Sequence, residues 1–282
     1  MTRLLAAIVL FFSVLAAHAE GGVLAAIKAS GTIRLGYLKD APPFSSVGTD
    51  GAPQGYSVAL CERAAESIRQ ELGLASLKLE WVPLTLQERI PAVASHKVDL
   101  ECGTTTWTLS RQREVDFSLM TFVDGATVLV RADSDLFRLA DLKSRKVAVV
   151  PTTTTATALQ AALKLRMLQI QVVTVSSPEE GLAKLQEGVV DGYASDRLVL
   201  IGQGTVSLGE RNFRLLDEDF SLEPYALALP RGDADFRLAV DRALAGLYRS
   251  GEIKAIFDRW LGPLGRPSLL LSALYYLQSI PE

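Results

Sequence analysis

Short apolar stretches of strand length alternate with stretches whose apolar residues recur every three or four positions, and this rhythm restricts the chain to an α/β fold. Residues 31–38 (GTIRLGYL) alternate like a strand. The Gln54-Gly55-Tyr56 segment then opens a helix with Val58, Cys61, Ala65, Ile68 and Leu72 on one face and Gly73 placed to end it. Residues 78–82 read as a strand, residues 89–95 as a short helix with Pro91 near its first turn, and residues 98–102 as a third strand. A second unit repeats the pattern: residues 127–131 and 146–150 are apolar and β-branched, residues 155–168 are a helix of Ala and Leu, and helix 178–188 leads into strand 189–193. Residues 223–229 return as a strand, and helices near 236–249 and 251–260 close the fold. The expected architecture is two α/β lobes, each a mostly parallel sheet flanked by helices. They are joined by two extended crossovers that act as hinges on a cleft.

The N-terminus carries an address. Met1-Thr2-Arg3 is a short basic start, residues 4–17 are apolar and uncharged, and Ala17-His18-Ala19 is a small-x-small cleavage site before Glu20. The apolar run is shorter than the roughly 18 residues a membrane-spanning helix needs. Residues 1–19 are therefore expected to be a signal peptide, with Glu20 as the mature N-terminus and a periplasmic location. An N-terminal membrane anchor is the alternative.

Charge and residue counts exclude several chemistries. At 282 residues and 49% hydrophobic the chain can form two modest cores, and a net charge of -3 supplies no basic surface for nucleic acid. After cleavage His96 is the only histidine left, on a polar Ser-His-Lys turn, with Cys61 and Cys102 far from it in sequence. No metal or cofactor is expected from so few ligands, and no G-x-S-x-G elbow accompanies the histidine to make a catalytic triad. In an oxidising compartment the two cysteines could pair; sequence leaves that open.

Five blocks carry a family resemblance: residues 55–61 (GYSVALC), 98–106 (VDLECGTTT), 111–118 (RQREVDFS), 141–143 (DLK) and 250–260, which runs from Ser-Gly-Glu to Trp260. Together they resemble the family 3 solute-binding proteins of ABC transporters, most closely the glutamate/aspartate-binding branch. The resemblance implies lobe I at residues 23–123 and 223–261, lobe II at 124–222, and a C-terminal extension at 262–282 packing on them. It also implies a monomer that captures an amino acid, glutamate/aspartate-like or another polar one, and delivers it to an ABC permease. Two alternatives share the fold: a periplasmic cyclohexadienyl-type dehydratase, for which Asp196, Lys39 and Glu101 are the acid or base groups at hand, and a ligand-sensing adaptor.

The site residues follow from the blocks and from their chemistry. Arg111, one turn into a helix that Thr108 caps, presents a planar fork beside the Gly-Thr-Thr-Thr turn, where Thr104 and Thr106 add hydroxyls; a free α-carboxylate fits there. Thr154 and Thr155, between a buried strand and a helix N-terminus, form the opposite wall. Asp196 matches the partner of the ligand ammonium, and Arg89 reads the ligand side chain. The competing roles are ion pairs: Arg111 with Glu114 or Asp116, Arg89 with Glu88 or Asp99, and Asp196 with Arg197. Leu38, Leu86 and Pro178 stand where the acidic-ligand branch has arginine, serine and histidine. An acidic side chain held by Arg89, with Lys39 as a substitute donor, is therefore under-satisfied.

Overall fold

The computed structural model describes residues 22–207, 209 and 212–282. The signal peptide and the mature terminus at Glu20 lie outside the described residues. After helix α1 (Val23–Ser30), the first lobe builds β1 (Thr32–Leu38), a small three-stranded sheet of β2 (Asp40–Ala41), β3 (Ser45–Val47) and β4 (Pro53–Gln54), then α2 (Tyr56–Glu71), β5 (Lys78–Leu84), α3 (Arg89–Ala94) and β6 (Leu100–Glu101). A 3-10 turn at Arg111–Arg113 precedes the long strand β7 (Val115–Asp124). The second lobe runs through β8 (Ala126–Arg131), β9 (Lys146–Val149), α4 (Thr154–Leu165), β10 (Gln171–Thr174), α5 (Pro178–Gln186), β11 (Gly192–Asp196), α6 (Arg197–Ser207) and β12 (Phe213–Leu215). Strand β13 (Glu223–Pro230) then returns to the first sheet, followed by α7 (Ala234–Ser250), α8 (Glu252–Trp260) and α9 (Leu269–Leu277).

The first sheet has the order β5-β1-β6-β13-β7 and the second β10-β9-β11-β8-β12. In each, one strand opposes the rest: β13 pairs antiparallel with β6 and β7, and β8 pairs antiparallel with β11 and β12. The other pairings, β1 with β5 and β6 and β9 with β10 and β11, are parallel, as crossover helices require. The chain leaves the first sheet at Gly125 and re-enters it at Glu223, and Asp124 and Glu223 are register partners, so the two crossings lie side by side.

Helix α2 buries Tyr56, Leu60, Cys61, Ala64, Ala65 and Ile68 in the first core; Val58, Cys61, Ala65 and Ile68 of the expected face are buried, Leu72 falls at the C-cap, and the buried face widens to Leu60 and Ala64. Gly55 at its start has φ 135°, and a β-carbon there would collide with the Phe44 carbonyl, so only glycine lets the chain enter the helix beside the small sheet. Cys61 on α2 and Cys102 beyond β6 form a disulfide between fully buried positions, pinning helix to sheet. The C-terminal segment packs on the first lobe: Tyr275 stacks on Tyr248 and its hydroxyl meets that of Tyr56 at 2.6 Å, while Gln278 exchanges two hydrogen bonds with the backbone of Met120.

Three local expectations shift. Strand 189–193 is displaced to Gly192–Asp196, because after Gly188 in the left-handed region the amides of Val189 and Val190 still bond to Lys184 O and finish α5. Arg111 stands on a 3-10 turn rather than a helix, although Thr108 Oγ1 does accept from its N–H at 3.2 Å. Helix α6 was not anticipated, and residues 115–124 form one ten-residue strand that sequence divided between a motif and a crossover.

Candidate functional site

Segments of both lobes meet at a small cavity of about 30 Å³. From the first lobe come Asp40 and Ala41 of β2, Leu86 and Arg89 at the start of α3, and Thr104 and Thr106 of the turn after β6. From the second come Thr153, Thr154 and Thr155 at the start of α4, Pro178 of α5, Ser195 and Asp196 of β11, and Val199 and Gln203 of α6. The cavity adjoins an open groove of about 820 Å³ that shares Leu86, Arg89, Thr106, Thr153 and Thr154 and adds Trp107, Arg111 and Glu223. Six of the seven residues assigned from sequence line the cavity; the seventh, Arg111, lines the groove next to it.

The local reasons are simple. Thr153 caps α4, its hydroxyl accepting from Ala156 N at 3.1 Å, so Thr154 and Thr155 project from the first turn where the helix end is positive. Gly103, in the turn after β6, leaves room for the Glu101 carboxylate, which packs where a β-carbon would stand. That turn brings Thr106 to 3.1 Å from Thr154 across the cleft.

The ion pairs that competed for the site residues are absent among the described residues. Asp99 pairs with Arg34, Asp116 with Arg237, and Arg197 with Asp219. Arg111 donates from Nη1 to Thr106 O at 2.8 Å, and among the described residues the rest of its fork makes no protein hydrogen bond. Arg89, 4% exposed, donates from Nε to Leu86 O and from Nη1 to Thr104 O, both at 3.1 Å. Asp196 accepts from Thr155 Oγ1 at 2.9 Å and from the Tyr225 hydroxyl at 2.5 Å. Lys39 is exposed and lies outside the cavity, so it is no substitute for Arg89, and Leu38 is fully buried in the core.

Burial sets the charge states. It lifts the Asp196 carboxyl to about 6, with repulsion from Glu223 adding to it and the hydrogen bonds from Tyr225 and Thr155 opposing it. Asp40 also rises to about 6 through burial and the facing Glu179. Asp124, beside Asp196, is pushed to about 8 by burial and by that neighbour's charge. Arg111 falls to about 10 because burial and the nearby Arg89 disfavour its charge, while Glu101, Glu223 and Asp196 support it. Glu101 is held above its usual range by burial, and among the described residues neither carboxylate oxygen has a well-formed hydrogen bond.

Sequence reasoning missed several residues of the site, Asp40 and Gln203 of the cavity lining among them, and two more that hold its groups. Glu223 Oε2 accepts from both Thr106 Oγ1 and Thr154 Oγ1 at 2.7 Å, so an internal carboxylate bridges the lobes on the hydroxyls assigned to the ligand. Tyr225 reaches from β13 to hold Asp196. The available signal was an acid and a tyrosine opening an otherwise apolar strand, which periodicity reads as a strand end.

The geometry can be set beside known proteins. Residues 33–263 match the model of the bacterial extracellular solute-binding proteins, family 3. The chain belongs to that family. It is 33% identical over 240 residues to the L-glutamate/L-aspartate-binding protein of Pseudomonas aeruginosa, covering 85% of this chain and 80% of that one. It is 27% identical over 245 residues to the glutamate/aspartate import solute-binding protein of Escherichia coli, covering 87% and 81%. Among solved structures, an ancestral arginine-binding protein bound to glutamine superposes with a TM-score of 0.73 at 27% identity, covering 82% of this chain and 98% of the other. The two-lobed α/β architecture of these family 3 proteins is that of the present chain.

Proposed function

We propose that this family 3 protein binds a free α-amino acid between its lobes, and that Arg111, Thr104, Thr106, Thr154, Thr155, Asp196 and Arg89 form the site. The observation that carries the reading is the opposition of charge across one cleft. A half-buried guanidinium fork with unused donors stands on one side, and a buried carboxylate held by Thr155 and Tyr225 stands on the other. A zwitterion offers the complement of both: its carboxylate takes the Arg111 fork and the threonine hydroxyls, which rotate away from Glu223, and its ammonium faces Asp196. The Pseudomonas and Escherichia relatives, both glutamate/aspartate-binding by name, support an amino-acid ligand as well.

In this reading residues 23–123 and 223–261 form lobe I, residues 124–222 form lobe II, and the paired crossings near 121–124 and 221–225 are the hinges. The protein acts as a periplasmic monomer, delivers its ligand to an ABC permease, and is not an enzyme. Among the described residues no helix is long and apolar enough to cross a membrane. A thermal-shift screen of the mature protein against the common amino acids tests the binding, because a ligand specific for the folded state raises Tm. The best ligand should also change the X-ray scattering profile by closing the cleft. A screen with no shift for any amino acid would overturn the reading, and unchanged scattering at saturation would overturn the hinges.

A further inference from the structure

Arg111, the threonines and Asp196 account for the zwitterion, and the remaining end of the cavity must meet the ligand side chain. The lining residues not assigned to the zwitterion include Asp40, Leu86, Pro178, Val199 and Gln203. Leu86, Pro178 and Val199 bring no side-chain donor. Gln203 is 5% exposed, and its Nε2 donates to Asp40 O at 2.6 Å, which fixes the amide so that Oε1 is an acceptor. That oxygen is buried without a hydrogen-bond partner among the described residues. Asp40 lines the same cavity, and its carboxyl is faced by that of Glu179 at the start of α5.

The donors near this end belong to Arg89, and two of them are already engaged by the carbonyls of Leu86 and Thr104. Its charge is further offset by Asp40, Asp196 and Glu101, each of which feels the guanidinium. A ligand carboxylate placed here would meet Asp40, whose negative charge Glu179 reinforces from outside the cavity, and the amide oxygen of Gln203, groups of the wrong polarity. A carboxamide or guanidinium would donate to the Asp40 carboxylate and to Gln203 Oε1.

Building on the zwitterion site above, we propose that the Asp40–Gln203 wall selects an amino acid whose side chain ends in N–H donors, a carboxamide or a guanidinium, against one ending in a carboxylate. Asp40 and Gln203 are thus specificity-determining residues of the side-chain pocket.

Calorimetry at pH 7.5 with L-glutamine, L-arginine, L-glutamate and L-alanine tests this directly, since glutamine and glutamate are nearly isosteric. Glutamine or arginine should bind at least tenfold more tightly than glutamate. In Asp40→Asn the ratio of glutamine or arginine to glutamate affinity should fall at least fivefold while alanine, which has no distal group, is bound as before. Gln203→Met, which keeps length but removes the acceptor, should erode the same ratio; a Tm within a few degrees of wild type certifies each fold. Glutamate binding as tightly as glutamine and arginine would overturn this inference alone. A ratio unchanged in both variants would overturn the assignment to Asp40 and Gln203. Absence of binding by all four amino acids would overturn the zwitterion site itself and the inference with it.

Discussion

Replacing Arg111 by alanine separates a ligand anchor from a structural cation. Among the described residues the guanidinium makes one protein hydrogen bond, to Thr106 O, and Arg111 lines the groove. Burial and Arg89 already lower its pKa to about 10, so its charge is held where water screens it poorly. An α-carboxylate bound there would lose its main partner in Arg111→Ala and keep only threonine hydroxyls that Glu223 also claims. Breaking a fully buried pair costs about 3–5 kcal/mol; because Arg111 is half-buried, the lower end applies, about 3 kcal/mol or roughly 150-fold in Kd. Lysine carries the charge without the planar fork, so Arg111→Lys should recover less than half of that loss. The ligand-free fold loses one hydrogen bond, about 1 kcal/mol, and Tm should move by only a few degrees. Arg89→Ala is the contrast: it strips donors from two carbonyls at a nearly fully buried site and should lower Tm markedly even without ligand. Isothermal titration of the tightest-binding amino acid gives the affinities. Binding by Arg111→Ala within threefold of wild type would refute the carboxylate assignment.

Acidity should act on binding and folding in opposite directions. The Asp196 pKa of about 6 lies above its unfolded value of 3.8, so its contribution to ligand-free stability is fully present below about 3.8 and is lost as pH rises through about 6; Asp124 adds the same trend up to about 8. Ligand-free Tm should therefore rise as pH is lowered from 9 to 5, whereas affinity, which needs ionised Asp196 opposite the ammonium, should fall up to tenfold per pH unit below about 6. Parallel titrations and melts over pH 5–9 check both, and pH-independent affinity would remove Asp196 from the ammonium site. The Cys61–Cys102 disulfide closes a loop with a sequence separation of 41, which is worth about 4 kcal/mol by chain entropy. The Cys61→Ser/Cys102→Ser double variant should melt roughly 10 °C lower, and a Tm unchanged in calorimetry would show that packing alone holds α2 to the sheet.

The alternation of strands and helices was legible because it rests on local physics: apolar side chains must repeat every two positions on a strand and every three or four on a helix to reach one core. Val58, Cys61, Ala65 and Ile68 of the expected α2 face are buried, and Thr153 caps α4 as a hydroxyl before a helix should. The candidate site was legible as residue types in motifs, an arginine after a Gly-Thr-Thr-Thr turn and an aspartate at a strand end, since charge-assisted recognition needs those groups wherever the backbone carries them. What local pattern does not encode is which distant groups share a space. Glu223 and Tyr225 read as the start of an apolar strand, yet the return of β13 beside β7 sets Glu223 on Thr106 and Thr154 and Tyr225 on Asp196. Gln203 lies on a helix the sequence rhythm missed, and only the approach of α6 to β2 turns its amide toward the Asp40 carbonyl, brings the residue to the cavity and leaves its Oε1 buried without a partner among the described residues. Secondary structure follows from neighbours along the chain, whereas the polarity of the binding wall follows from contacts between residues as much as 163 positions apart.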